Sequence, residues 1–93
     1  MFTHVVLMDL KRSEDIEPAL AALRGLEGRI PALRGIEVGR HDGRDPRGAD
    51  ICLITRHDDA EGLQAYAQHP VHLEVVAYLK TVLASSRVVD WSA

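Results

Sequence analysis

The chain has a single cysteine, Cys52, so it can close no internal disulfide and build no multi-cysteine zinc site. Cys52 lies in the apolar run Ile51 to Thr55 (ICLIT), where one thiol reads as a small buried hydrophobe. Rings are scarce: Phe2, Tyr66, Tyr78 and Trp91 are the whole aromatic complement. A surface this poor in rings cannot stack bases. The one concentration of positive charge, Arg40, Arg44 and Arg47, alternates with Asp42 and Asp45 in a loop punctuated by Gly39, Gly43, Pro46 and Gly48. Nucleic acid is therefore not an expected partner. Neither sign of charge dominates, the net being −3. No apolar run approaches membrane-spanning length, and the start shows no basic segment followed by a long apolar stretch. No membrane partner is expected, and a reducing, cytoplasmic setting is. There is no phosphate-cradling glycine motif, and Trp91 alone does not point to haem or flavin, so no cofactor is expected.

What is present describes a folded chain. Apolar residues at 46 % and charged residues at 27 % fit one globular domain over residues 1–93, not a disordered segment. A domain of this length buries only roughly 60–65 % of its unfolded surface, so its own core is thin. Phe2 to Leu10 reads as a strand. Ser13 is a candidate N-cap, with Glu14, Asp15 and Glu17 in the first turn and Pro18 near the start. Ile16, Ala19, Leu20, Leu23, Leu26 and Ile30 then recur at helical spacing until Pro31. Ile36 to His41 and Asp50 to Arg56 read as strands. Asp58 or Asp59 caps a helix to Ala67, and Pro70 restarts it with Leu73, Val76, Ala77, Leu79 and Leu83 as its pattern. Arg87 to Trp91 closes as a strand. The order β-α-β-β-α-β predicts a ferredoxin-like α+β fold, a four-stranded antiparallel sheet with helices on one face and strand order four, one, three, two.

That fold leaves one sheet face without helices, yet the first and third strands carry apolar residues on both faces. His4, Val6 and Met8 point one way while Val5 and Leu7 point the other, and Cys52 and Ile54 alternate with Ile51 and Leu53. Something must cover the second face. A second copy of the sheet is the economical answer, and a homodimer is expected.

Chemistry concentrates in a few residues. Tyr66, His69 and His72 lie three apart around Pro70, and His4 and Asp90 lie on strands that the topology makes neighbours. A helix over that sheet could bring His72 onto Asp90. A carboxylate that accepts from one ring nitrogen leaves the other free as a general base, and a tyrosine nearby could donate to a developing enolate. The plainer uses are packing for Tyr66, a satisfied core position for His4 and capping of the helix break for His69. His41 and His57 flank the long loop and read as solvent-side. His69 and His72 across Pro70 do not project like the paired ligands of a zinc helix, so no metal is expected.

Three segments, His4-Val5-Val6-Leu7, Tyr66-Ala67-Gln68-His69-Pro70-Val71-His72 and Val88-Val89-Asp90-Trp91, resemble the stress-responsive dimeric α/β-barrel (Dabb) family. The middle segment is similar to a Tyr-x-x-His-Pro-x-His pattern in a plant polyketide cyclase of that family, the one that makes olivetolic acid. The resemblance implies a homodimer whose two sheets face each other. It further implies a small carbonyl, polyketide-like ligand, with His72 as base, Asp90 orienting it and Tyr66 polarising the carbonyl. His4, Asp50 and His69 would line the substrate pocket, Asp50 standing where the cyclase has a further histidine. Arg56 and Trp91 depart from the family pattern. A cyclase- or isomerase-like enzyme and a non-catalytic, ligand-binding or stress-protective dimer are both compatible with these residues, and a cofactor-free oxygenase is a third reading.

Overall fold

In the computed structural model, which describes residues 1–93, four strands and three helices follow in the order β1 (Phe2–Leu10), α1 (Ile16–Arg24), β2 (Gly35–Arg40), β3 (Ile51–His57), α2 (Ala60–Ala67), α3 (Pro70–Val82) and β4 (Leu83–Ser92). The sheet is antiparallel throughout and runs β2-β3-β1-β4, the expected ferredoxin-like order. The two longest strands, β1 and β4, lie side by side, and β4 is an edge.

Strand periodicity decides which side chains meet the helices. Val6, Met8 and Leu10 of β1 and Ile51 and Leu53 of β3 are buried against Leu20 and Leu23 of α1 and Leu79 of α3. The alternate residues face away. Leu7 is 43 % exposed, Val89 59 % and Trp91 45 %, so the second face carries uncovered apolar surface, as the two-faced pattern of β1 and β3 implied.

Several local expectations need correction. The apolar spacing from Ile16 to Ile30 predicted one helix, but α1 ends at Arg24. Leu26 and Ile30 still reach the core, because the chain turns through Gly28 at φ 78°, a conformation that glycine adopts without strain. Ser13 does not cap α1. It opens a single 3₁₀ turn, Ser13–Asp15, in which Arg12 holds the buried Asp15 carboxylate through two hydrogen bonds of 3.1 and 3.2 Å. Strand β4 starts at Leu83, before the serines that were read as its boundary. Leu73 was placed in the apolar pattern of α3 but is 51 % exposed, and Val71, Val75 and Tyr78 face the core instead.

Helix entry is clearer. Asp59 caps α2, its Oδ1 accepting from the Gly62 amide at 2.8 Å. Pro70 occupies the first turn of α3, where a missing amide hydrogen costs nothing. The long loop between β2 and β3 is held by its own polar groups. Asp45 accepts from the Arg47 backbone amide at 2.9 Å, and the His41 Nε2–H donates to the Asp45 carbonyl at 2.8 Å. The His41 ring lies so close over Gly48 that a Cβ there would stand 2.2 Å from it, so a larger residue would push the ring aside.

Candidate functional site

Antiparallel register puts His4 directly opposite both Thr55 of β3 and Asp90 of β4. All three side chains share the helix-facing side, at the end of the sheet beneath α2 and the first turn of α3. His4 Nδ1 donates a hydrogen bond to Asp90 Oδ1. A carboxylate on Nδ1 fixes the proton there and leaves Nε2 with its lone pair free.

This corrects the expected pairing. Asp90 serves His4, whereas His72 donates its Nδ1–H to the Ala67 carbonyl at 2.9 Å. The break between α2 and α3 explains the difference. The last turn of α2 leaves the Ala67 carbonyl without a helical partner, and His72, in the first turn of α3, satisfies it. His72 therefore also presents a free Nε2. Burial pushes its pKa below the usual histidine value, the Ala67 carbonyl opposes that, and nearby His4 adds to the depression. At neutral pH His72 is an uncharged acceptor.

Tyr66 is the central residue of the cluster. It is 1 % exposed, and its ring lies 4.3 Å from the His72 ring and 5.0 Å from the His57 ring, centroid to centroid. Its hydroxyl is buried with no hydrogen-bond partner. Burial pushes the phenol up to about 12, so it stays protonated and can act as a neutral donor. An unpartnered buried hydroxyl costs about 1–3 kcal/mol, a cost that an acceptor atom on a ligand would remove.

His57 belongs to this cluster, although the sequence reading set it at the solvent side. It is fully buried, its Nδ1–H donating to the Ala32 carbonyl at 2.8 Å and its Nε2 accepting from the Thr55 hydroxyl at 2.9 Å. Burial lowers its pKa, with the Ala32 carbonyl opposing. Both ring nitrogens are used, so His57 shapes the site without a free functional atom. The alternation Ile51, Leu53, Thr55, His57 carried this signal: the same period that buries the first three buries the fourth.

Two expected pocket residues lie elsewhere. Asp50 sits at the opposite end of the sheet, where its carboxylate accepts from the Leu10 amide at 2.8 Å and closes the β1–β3 ladder. His69 is the N-cap of α3, its Nδ1 accepting from the Val71 amide at 3.1 Å. Arg56, which departs from the family pattern, faces the open side and pairs with Glu37 at 2.8 Å. No group of three or more His, Cys, Asp or Glu side chains is arranged to hold a metal ion. Of the two surface depressions, one of about 410 Å³ is lined by the β2–β3 loop together with Leu7, Ile51 and Cys52, the other of about 370 Å³ by Ala60, Leu63, Gln64 and Ala67 of α2, and none of the clustered residues lines either.

Solved structures share this architecture closely. A dimeric ferredoxin-like protein of unknown function from Thermobifida fusca superposes with a TM-score of 0.88 at 24 % identity, over 99 % of this chain and 90 % of that one. A dimeric protein of unknown function with a ferredoxin-like fold from Bacteroides fragilis gives 0.83 at 25 % identity, over 99 % and 95 %. The hydroxynitrile lyase from Passiflora edulis gives 0.82 at 15 % identity, over 97 % and 90 %, a likeness of fold alone. Among curated proteins none matches. Sequence and fold agree, for residues 2–93 match the Stress responsive A/B Barrel Domain, and the chain is a member of that family.

Proposed function

We propose that this protein is a small homodimeric enzyme that moves a proton next to the carbonyl of a small organic compound, in the manner of a cyclase, isomerase or lyase. The observation that carries the reading is the His4–Asp90 pair in the same cluster as Tyr66, whose buried hydroxyl has no partner and whose ring lies between those of His57 and His72. His4 is the base: its Nε2 takes the proton, and Asp90 stabilises the imidazolium that forms. Tyr66 donates to the carbonyl oxygen as negative charge develops on it. His72, the base in the sequence reading, becomes a neutral acceptor that can hold a substrate hydroxyl or receive the proton in a second step. A lyase in the same fold, the Passiflora edulis enzyme, makes carbonyl chemistry a reasonable use of this scaffold.

The test is deuterium incorporation at the methyl carbon of acetophenone in D₂O. The expected result is a catalysed exchange that falls by about 100-fold or more in His4→Ala and in Asp90→Asn, the range a positioned base supplies. Exchange that is equally fast in both variants and the parent protein would refute the mechanism.

The homodimer is part of the proposal. Val5, Leu7, Ile54, Val89 and Trp91 form one apolar surface on the helix-free face, and a second sheet would bury it. Both bacterial relatives are described as dimeric, which supports the same assembly here. The rival reading is a non-catalytic dimer that carries a small molecule. The full burial of Tyr66 favours it, since a phenol held at about 12 is a good hydrogen-bond donor and a poor acid. A reducing, cytoplasmic setting remains the expected one for a chain whose one cysteine is free.

A further inference from the structure

The larger surface hollow lies outside the proton-transfer cluster, where the helix-free sheet face meets the β2–β3 loop. Its volume of about 410 Å³ falls within the range of small-molecule sites. Strand register explains the depression. Gly39 of β2 stands opposite Cys52 of β3, and Cys52 opposite Leu7 of β1, in one row across the helix-free face. Leu7 and Cys52 raise side chains from that row and Gly39 raises none. Neither crowding nor backbone conformation asks for glycine at this position. A Cβ there would meet no atom within 4 Å, and Gly39 is not among the glycines with a left-handed backbone. A glycine inside a strand weakens it, and one that its own fold does not require marks a place where another group approaches closely.

The hollow is apolar at its floor and basic at its rim. Leu7 and Cys52 form the floor, Arg40, His41 and Arg47 stand around it, and no Asp or Glu lines it. Arg40 turns away to Glu17 of α1 at 2.8 Å. Arg47 is held in place by Asp45, which accepts from its backbone amide, Nε and Nη2 at 2.9, 3.1 and 2.9 Å. That grip orients the guanidinium and leaves its Nη1 without a partner. The row continues from Leu7 to Arg87 of β4, a second guanidinium over the same face. Two positions along each of the other strands stand carboxylates that are already engaged, Asp9 by the Ser85 hydroxyl, Asp50 by the Leu10 amide and Glu37 by Arg56.

We propose that this hollow binds a small apolar carboxylate, with its tail against Leu7 and Cys52 over the bare backbone of Gly39 and its head on Arg47. The free Nη1 of Arg47, in a lining without acids, selects a carboxylate over an alcohol of the same length. The site is separate from the proposed proton-transfer site. Leu7 lies three residues along β1 from His4, about 10 Å at the usual rise, and its side chain points to the opposite face. The hollow adjoins the apolar surface that a second copy would cover, so a side chain of the partner is the competing occupant.

The experiment is a pair of NMR titrations of the intact protein, with octanoate and with octanol, read at the Leu7 methyl groups and the His41 ring. Octanoate is expected to shift both saturably in the millimolar range and to leave the His4 and His72 rings in place. Octanol, without the charge-assisted hydrogen bond, should bind at least about fivefold more weakly. Arg47→Gln should bring octanoate down to the affinity of octanol. Gly39→Val fills the hollow from a position with room for a side chain, in a strand that accepts a β-branched residue, and should weaken octanoate at least about tenfold. Its mass in light scattering should equal that of the parent protein. The proposal is overturned if octanoate leaves Leu7 and His41 unshifted, as it would with a partner's side chain in the hollow. It is overturned equally if His4 and His72 move instead, if octanol binds as tightly, or if neither variant weakens octanoate. Arg47 is an exposed loop residue, so its variant carries the test should Gly39→Val not fold.

Discussion

Replacing Tyr66 by Phe should stabilise the protein while removing the donor that the proposed mechanism uses. The ring is 1 % exposed and packed between two imidazoles, and phenylalanine keeps that ring and its contacts. The only group lost is a hydroxyl that has been taken out of water and given no partner. Such a group costs about 1–3 kcal/mol, so its removal should add at least about 1 kcal/mol at neutral pH. In a domain of this size that raises Tm by about 4–8 °C. A second signature comes from titration. Burial pushes the folded-state phenol up to about 12, from about 10 for a free tyrosine. The unfolded state therefore releases its proton first, so stability is intact below pH 10 and falls as pH rises towards 12. Two units correspond to roughly 2–3 kcal/mol. That component of the alkaline loss should vanish in Tyr66→Phe. Urea unfolding of both proteins at pH 7.5, and then in steps to pH 11.5, measures both effects. Protein concentration must be held constant, because dimerisation would shift the apparent stability. If the variant is less stable by about 1 kcal/mol or more, the hydroxyl has a partner in solution and the argument from an unpaired donor is wrong.

Burial depresses the pKa values of His57 and His72, so the unfolded state takes up protons first on acidification. Stability should hold above pH 6.5 and decline below it as pH falls towards the folded values, and His57→Gln should flatten part of that decline in urea titrations; an unchanged slope would count against a buried neutral His57. Asp50→Ala should cost about 1.5–3 kcal/mol through loss of the charged acceptor for the Leu10 amide, without altering the histidine resonances at the far end of the sheet. A shift of His4 or His72 in that variant would return Asp50 to the site. Leu7→Asp, on the helix-free face, should convert a dimer into a monomer in light scattering at micromolar concentration, and a parent protein that is already monomeric would remove the assembly altogether.

The strands and their order were legible because periodicity reports local geometry. Alternation along Phe2–Leu10 and Ile51–His57 marks which residues go inward, and it would have marked His57 too had the strand been read one residue further. Helix length was less legible. The spacing of Leu26 and Ile30 continues the stripe of α1, but a turn through Gly28 can deliver the same residues to the core. The site was half legible. Residues 66–72 announced that Tyr66 and His72 would meet, since both flank one break between two helices.

By itself, then, the sequence determined the fold, the two-faced sheet and which residues were candidates for the site, all of which depend on local spacing and residue type. Only the tertiary structure decided who pairs with whom. Asp90 reaches His4 and not His72 because antiparallel register sets those strand positions opposite each other, while an orphaned carbonyl of α2 claims the His72 ring. Register and helix termination are settled by packing across 86 residues of chain, and no local pattern encodes a contact of that separation.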